Sequence, residues 1–181
     1  RFKPGMIGQS SNLINGDIYF TSSGNSHVLR LDENFNVIWE GHLTVNGVNV
    51  VYGNHPTSIA YELGYPTLIG EWGKFIVIDW ETFLQDGTLD NAYQGDIVDT
   101  QIDSNAYNDW IRGVYVKIDE KIYLAVGSYS VTSGENSIRF YDADSLKPGV
   151  STGDPGIFLK KIDAPQFIQS YVWQDNKLIL V

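Results

Sequence analysis

The stretch Trp110–Gly127, WIRGVYVKIDEKIYLAVG, decides the fold, because three other stretches lie over its first part without a gap. Set against Trp110–Leu124 (WIRGVYVKIDEKIYL), they are Met6–Phe20 (MIGQSSNLINGDIYF), His55–Ile69 (HPTSIAYELGYPTLI) and Gln166–Leu180 (QFIQSYVWQDNKLIL). Each is a short apolar run, a polar turn and a second apolar run. The turns are Asn15-Gly16-Asp17, Gly64-Tyr65-Pro66, Asp119-Glu120-Lys121 and Asp175-Asn176-Lys177. Gly, Asn and Asp tolerate the positive φ that tight hairpin turns require, so each stretch reads as a hairpin.

A second matching set lies downstream in Ser26–Phe35 (SHVLRLDENF), Lys74–Phe83 (KFIVIDWETF) and Ser137–Leu146 (SIRFYDADSL). In each, a strand ends in an apolar residue followed by Asp: Leu31-Asp32, Ile78-Asp79 and Tyr141-Asp142. An Asp leaving a strand accepts a hydrogen bond from a backbone N–H two residues on and so fixes the next turn. A further strand follows, clearest in Val37–Leu43 and Gly156–Ile162. The unit is four strands joined by turns.

The units start at residues 6, 55, 110 and 166, in steps of 49, 55 and 56 residues. A period of roughly 40–50 residues with four strands per unit is the pattern of a β-propeller blade. The expected fold is therefore all-β, a β-propeller segment of about three and a half four-stranded antiparallel blades. Its blades cover approximately 6–43, 55–102 and 110–162, with two strands of a fourth in 166–181. The alternative is a β-sandwich or another antiparallel β repeat. Three and a half blades do not close a ring, so the reading expects the remainder of a longer chain, or another subunit, to complete it.

Within the blades, Leu31–Trp39 (LDENFNVIW) resembles the Asp-x-x-Gly-x-x-x-Trp blade signature of quinoprotein-like propellers, with Asn34 and Asn36 where that pattern has Gly. Tyr141–Gly149 (YDADSLKPG) resembles the looser strand-Asp-turn signature shared by many propeller families. WD-like blades fit less well: Asp79-Trp80 reverses the Trp-Asp dipeptide, and the opening Gly-His is absent from the equivalent positions. The resemblance spans nearly the whole chain as architecture and carries over no functional residue.

Composition narrows the function classes. The 181 residues are 43% hydrophobic and 13% aromatic with 18 Gly, rich in strand formers and turn residues. No segment holds a sustained 3.6-residue apolar period. A formal charge of −10 repels nucleic acid and anionic membrane surfaces, and Lys160-Lys161 is the only adjacent basic pair. No apolar run approaches the length of a membrane-spanning helix, and there is no Cys from which to read a redox compartment. The three histidines, His27, His42 and His55, are scattered without metal-ligand spacing and read as surface or capping groups. No P-loop, Rossmann or nucleophile-elbow pattern is present.

Propeller geometry would bring the loops that lead into each first strand together with those joining strands two and three. These loops hold Asn54 and His55, Asp103–Arg112 (DSNAYNDWIR) and Ala164–Gln166, and in the other set Asn25 and His27, Glu71 and Trp72, and Tyr129. The richest is Asp103–Arg112. Tyr107 and Trp110 beside Asn108 and Asp109 suit a sugar, because aromatic faces stack on C–H groups while amides and carboxylates bind hydroxyls. Asp103-x-Asn105 begins like a calcium loop, without the Gly and Glu that an EF-hand requires. Asp103 and Asp109 form a candidate acid and base pair. The structural alternative is a turn-rich connector whose Trp110 packs between blades. Trp72, within Gly70-Glu71-Trp72-Gly73, is expected to project, whereas Trp39, Trp80 and Trp173 fall at strand or turn positions and read as packing residues.

The candidate ligand-binding residues are thus His55, Glu71, Trp72, Asp103, Asn105, Tyr107, Asn108, Asp109, Trp110 and Arg112. The function expected is non-catalytic binding or adhesion toward a glycan or protein ligand, in an extracellular, cell-surface or virion protein. No cofactor is expected, calcium being the alternative at Asp103-x-Asn105. The rival is a propeller enzyme, a glycan hydrolase or lyase or a quinoprotein-like dehydrogenase, with the rest of its active site outside this segment.

Overall fold

A computed structural model describes residues 7–24, 26–51, 55–90, 93–97, 110–129, 137–146 and 158–181. The first sheet takes β1 (Ile7–Ile14), β2 (Asp17–Ser23), β3 (His27–Leu31) and β4 (Val37–His42) in chain order, each antiparallel to the next. A small hairpin, β5 (Thr44–Val45) and β6 (Val48–Asn49), turns through Asn46 and Gly47. The second sheet holds β7 (Ser58–Ala60), β8 (Thr67–Gly70), β9 (Phe75–Ile78) and, after the helix α1 (Trp80–Asp86), β10 (Tyr93–Ile97). The third holds β11 (Ile111–Ile118), β12 (Lys121–Ser128), β13 (Ser137–Asp142) and β14 (Phe158–Asp163), with a 3₁₀ turn at Ala143–Leu146. β15 (Tyr171–Gln174) and β16 (Lys177–Leu180) pair as a two-stranded sheet. The chain is all-β, built from consecutive antiparallel sheets.

Turn chemistry explains the hairpins. Asn15 and Gly16 have φ of +51° and +89°, Asp119 and Glu120 +48° and +63°, Asp175 and Asn176 +49° and +58°. Positive φ at both central residues gives a two-residue turn the twist of its strands, and it locks the register on either side.

The strand-ending aspartates act as the sequence suggests. Asp32 Oδ1 accepts from the N–H of Asn34 at 2.9 Å and of Asn36 at 2.8 Å, and the Asn36 side-chain amide foremost holds this carboxyl below the usual range. Asp142 Oδ1 accepts from Asp144 N–H at 3.1 Å. Asp79 departs from the pattern. Its carboxylate accepts from the Thr82 N–H and hydroxyl, at 3.2 and 2.9 Å, and caps α1, which Gly87 closes in the left-handed conformation. The expectation that another strand follows directly, with Trp80 at a strand or turn position, is corrected here: Trp80 opens a helix and is buried. Seven residues are too few for an apolar period to show, but an N-cap Asp and a C-terminal Gly suffice for a short helix.

The sheets pack on one another in order. Along β11, Ile111 and Tyr115 join Leu68 and Phe75 of the second sheet, while Val114 and Val116 join Ile168 and Tyr171. Alternate residues of a strand point to opposite faces, so the third sheet is buried on both sides. Ile14, Tyr19 and Val28 meet Ile69, Ile76 and Phe83 between the first two sheets. Each such side chain fully removed from water contributes about 1.5–3 kcal/mol. The first strands are neighbours in sequence order, β1 beside β7, β7 beside β11 and β11 beside β15. Polar pins join them: Asn12 Nδ2 donates to Ile59 O at 2.9 Å, and the Gly113 N–H donates to Ser58 Oγ at 3.1 Å. Among the described residues no helix is long and apolar enough to cross a membrane.

Candidate functional site

The start of β11 is held unusually close to the end of β8. The Ile111 N–H donates to Glu71 O at 2.9 Å, the Thr57 hydroxyl donates to Ile111 O, and Trp72 and Trp110 form an antiparallel bridge. Gly70 permits this approach, since a Cβ there would stand 2.6 Å from the Ile111 carbonyl oxygen. The result seats the Trp72 and Trp110 rings edge to face, centroids 5.3 Å apart at 89°. His55, on the segment leading into β7, stacks on Trp110 at 4.5 Å and 24°, and its Nε2 bonds Gln9 Oε1 of β1. The segments that lead into β7 and β11, the β8–β9 connection and the start of β1 thus meet at one place.

The five described candidates divide into two kinds. Trp72 is 41% exposed and projects as expected, with Trp110 and His55 half-buried behind it. Burial first, and then the charge of Arg112, hold the His55 imidazole below the ordinary histidine range, so it is neutral at pH 7. Glu71 and Arg112 are each only 2% exposed. Glu71 pairs with Lys74 Nζ at 3.2 Å. Arg112 donates from Nε to Gln169 O at 2.6 Å and from Nη1 to Trp110 O at 3.1 Å, and its guanidinium lies 5.5 Å over the Tyr129 ring. Neither charged residue faces solvent, and Arg112 braces the backbone that carries Trp110.

Sequence reasoning missed Phe167. Overlaid on the third unit it takes the strand position of Ile111, yet it precedes β15 with φ +62°, is 54% exposed and meets Tyr129 edge to face at 5.5 Å. Its N–H donates to Tyr129 O at 2.8 Å, and the Tyr129 N–H donates to Trp110 O at 3.2 Å, which continues the aromatic cluster from β11 toward β15. The available sign was an aromatic at the head of a hairpin stretch. Asp103, Asn105, Tyr107, Asn108 and Asp109 lie outside the described residues, and with them the calcium and acid–base readings.

A cleft of about 590 Å³ lies at the opposite end of β11, lined by Lys117, Ile118, Asp119, Glu120, Trp173 and Asn176. Two hairpin turns and solvent-facing side chains form it, without the convergence of several sheets seen around Trp110. The chain matches no protein-family model and no curated protein.

The reading of the histidines as scattered is corrected by register. His27 and His42 are direct cross-strand partners in β3 and β4, and His27 is buried rather than at the surface. Glu40 stands two residues before His42. The donor atoms of the three lie within 4.8 Å of one another. Two histidines fifteen positions apart show no motif in the chain; the recoverable sign is Glu40-Gly41-His42, an alternation that puts both donors on one face of a strand.

Proposed function

We propose that the chain is a segment of a β-propeller that binds a neutral glycan or a protein surface, without catalysing a reaction, through Trp72, Trp110 and His55. Consecutive four-stranded meanders, stacked face on face with their first strands side by side, support the propeller reading over a sandwich. In that reading the rest of the ring comes from further sequence or another subunit. The observation that carries the function is Trp72, kept 41% exposed while its ring is fixed edge-on against Trp110. A braced aromatic offers a large apolar face and loses little conformational freedom on binding, and such residues dominate binding energy at interfaces. The neutral imidazole of His55 and the overall acidity favour an uncharged ligand.

The test is a screen of the purified chain against immobilised neutral glycans, followed by Trp72→Ala and Trp110→Ala on whichever glycan is retained. Trp72→Ala should weaken binding by about 30-fold or more, the scale of an interface hot spot, with stability changed by no more than about 0.5 kcal/mol. Trp110→Ala, which also removes the support of His55 and Trp72, should lose both binding and some stability. Retained affinity in Trp72→Ala, or its unfolding, would mark the cluster as packing between sheets and overturn the assignment.

A further inference from the structure

We propose that His27, Glu40 and His42 form a site for a divalent zinc-type ion at the outer hairpin of the first sheet. The backbone fixes the three positions. His27 and His42 are directly opposed in register, and Glu40 lies on the same face of β4 as His42. The hairpin around them is anchored, with the His42 N–H donating to Gly87 O at 3.1 Å and the Leu43 N–H to Ser26 O at 3.0 Å. His27 Nε2 stands 3.2 Å from His42 Nε2 and 3.2 Å from Glu40 Oε1. Around a tetrahedral ion with bonds of about 2.0–2.1 Å, neighbouring ligand atoms are about 3.3 Å apart, so two of the three separations already have the required size.

The donor chemistry narrows the ion. Two imidazole nitrogens at this distance share a single proton, whereas a cation uses the lone pair of each together with the carboxylate charge. Two imidazoles and one carboxylate suit zinc and its first-row neighbours; calcium and magnesium prefer sets made wholly of oxygen. Three protein ligands leave a fourth position on zinc for water or another ligand. The site shares no residue with the Trp72–Trp110 cluster and needs no part of the binding function proposed for it.

Isothermal titration of the purified chain with Zn²⁺ in a non-chelating buffer should show uptake of one ion per chain, and Zn²⁺ should raise the thermal midpoint where Ca²⁺ does not. His42→Gln and Glu40→Gln should each weaken uptake by at least the ~10–100-fold that loss of a mere outer-shell partner costs, and should remove the midpoint shift. Glu40, whose side chain is 27% exposed, gives a variant that folds even if His42→Gln does not. Absence of one-to-one uptake by the wild-type chain, or unchanged uptake in the folded variants, would overturn the proposal.

Discussion

At its first residues β11 is gripped by three other segments, and at its last residues it stands in water. Ile111 is 0% and Arg112 2% exposed, tied to Glu71, Thr57 and Gln169. Seven residues on, Ile118 is 39% exposed, and Lys117 reaches Glu120 at 2.7 Å with side chains 51% and 89% exposed. Both ends pair with β12 in one unbroken register, so strand pairing does not make the difference. The neighbouring sheets do. The turn end obeys a local rule that any repeat can satisfy, while the leading end depends on distant residues and is where one unit can come to differ from the next.

The strongest way to break this contrast is to loosen the leading end at Arg112. Arg112→Met keeps much of the buried stem and removes the charged donors to Gln169 O and Trp110 O, the second of which still accepts from the Tyr129 N–H. Hydrogen bonds from a charged donor each contribute about 1.5–3 kcal/mol, so the loss expected in urea denaturation is about 3 kcal/mol or more. A loss under about 1 kcal/mol would mean that the leading end is not pinned through this side chain.

Gly113→Ala comes next in size. A Cβ there would lie 2.7 Å from Cζ of Phe75, a ring with no exposed surface, and 3.4 Å from Leu124. Overpacking of a filled core typically costs about 1–3 kcal/mol, and the denaturation midpoint should fall accordingly. An unchanged midpoint would show that the second and third sheets part easily, and would place the rigidity of this end elsewhere.

The same contrast explains what could be read from the chain and what could not. Asn15-Gly16, Asp119-Glu120 and Asp175-Asn176 were legible as turns because positive φ is a requirement on residue type. Asp32 and Asp142 were legible because their partners lie within four residues. Asp79 shows the limit, since the same residue in the same place caps a helix once Thr82 and Gly87 follow. His55, Trp72 and Trp110 could be assigned to one end of the repeat, but the burial of Glu71 and Arg112 could not, because it arises from segments up to 57 residues away. The meeting of His27 with His42 depends on the pairing of β3 with β4, which no spacing along the chain displays.

The smallest effect is expected at the trailing end, and it has the opposite sign. Glu120 sits in the left-handed region at φ +63°, where a residue with a Cβ bears a strain of roughly 1–2 kcal/mol. Glu120→Gly relieves that strain but enlarges the freedom of the unfolded chain, which returns about 0.5–1 kcal/mol. It also breaks the ion pair with Lys117, whose side chains are too exposed for the pair to weigh in the balance. The net expectation is a gain of about 0.5 kcal/mol, or a thermal midpoint higher by about 1–2 °C in a domain of this size. A fall in the midpoint would mean that Glu120 does more than close a turn, and that the cleft beside Trp173 is built by tertiary contacts much as the Trp110 end is.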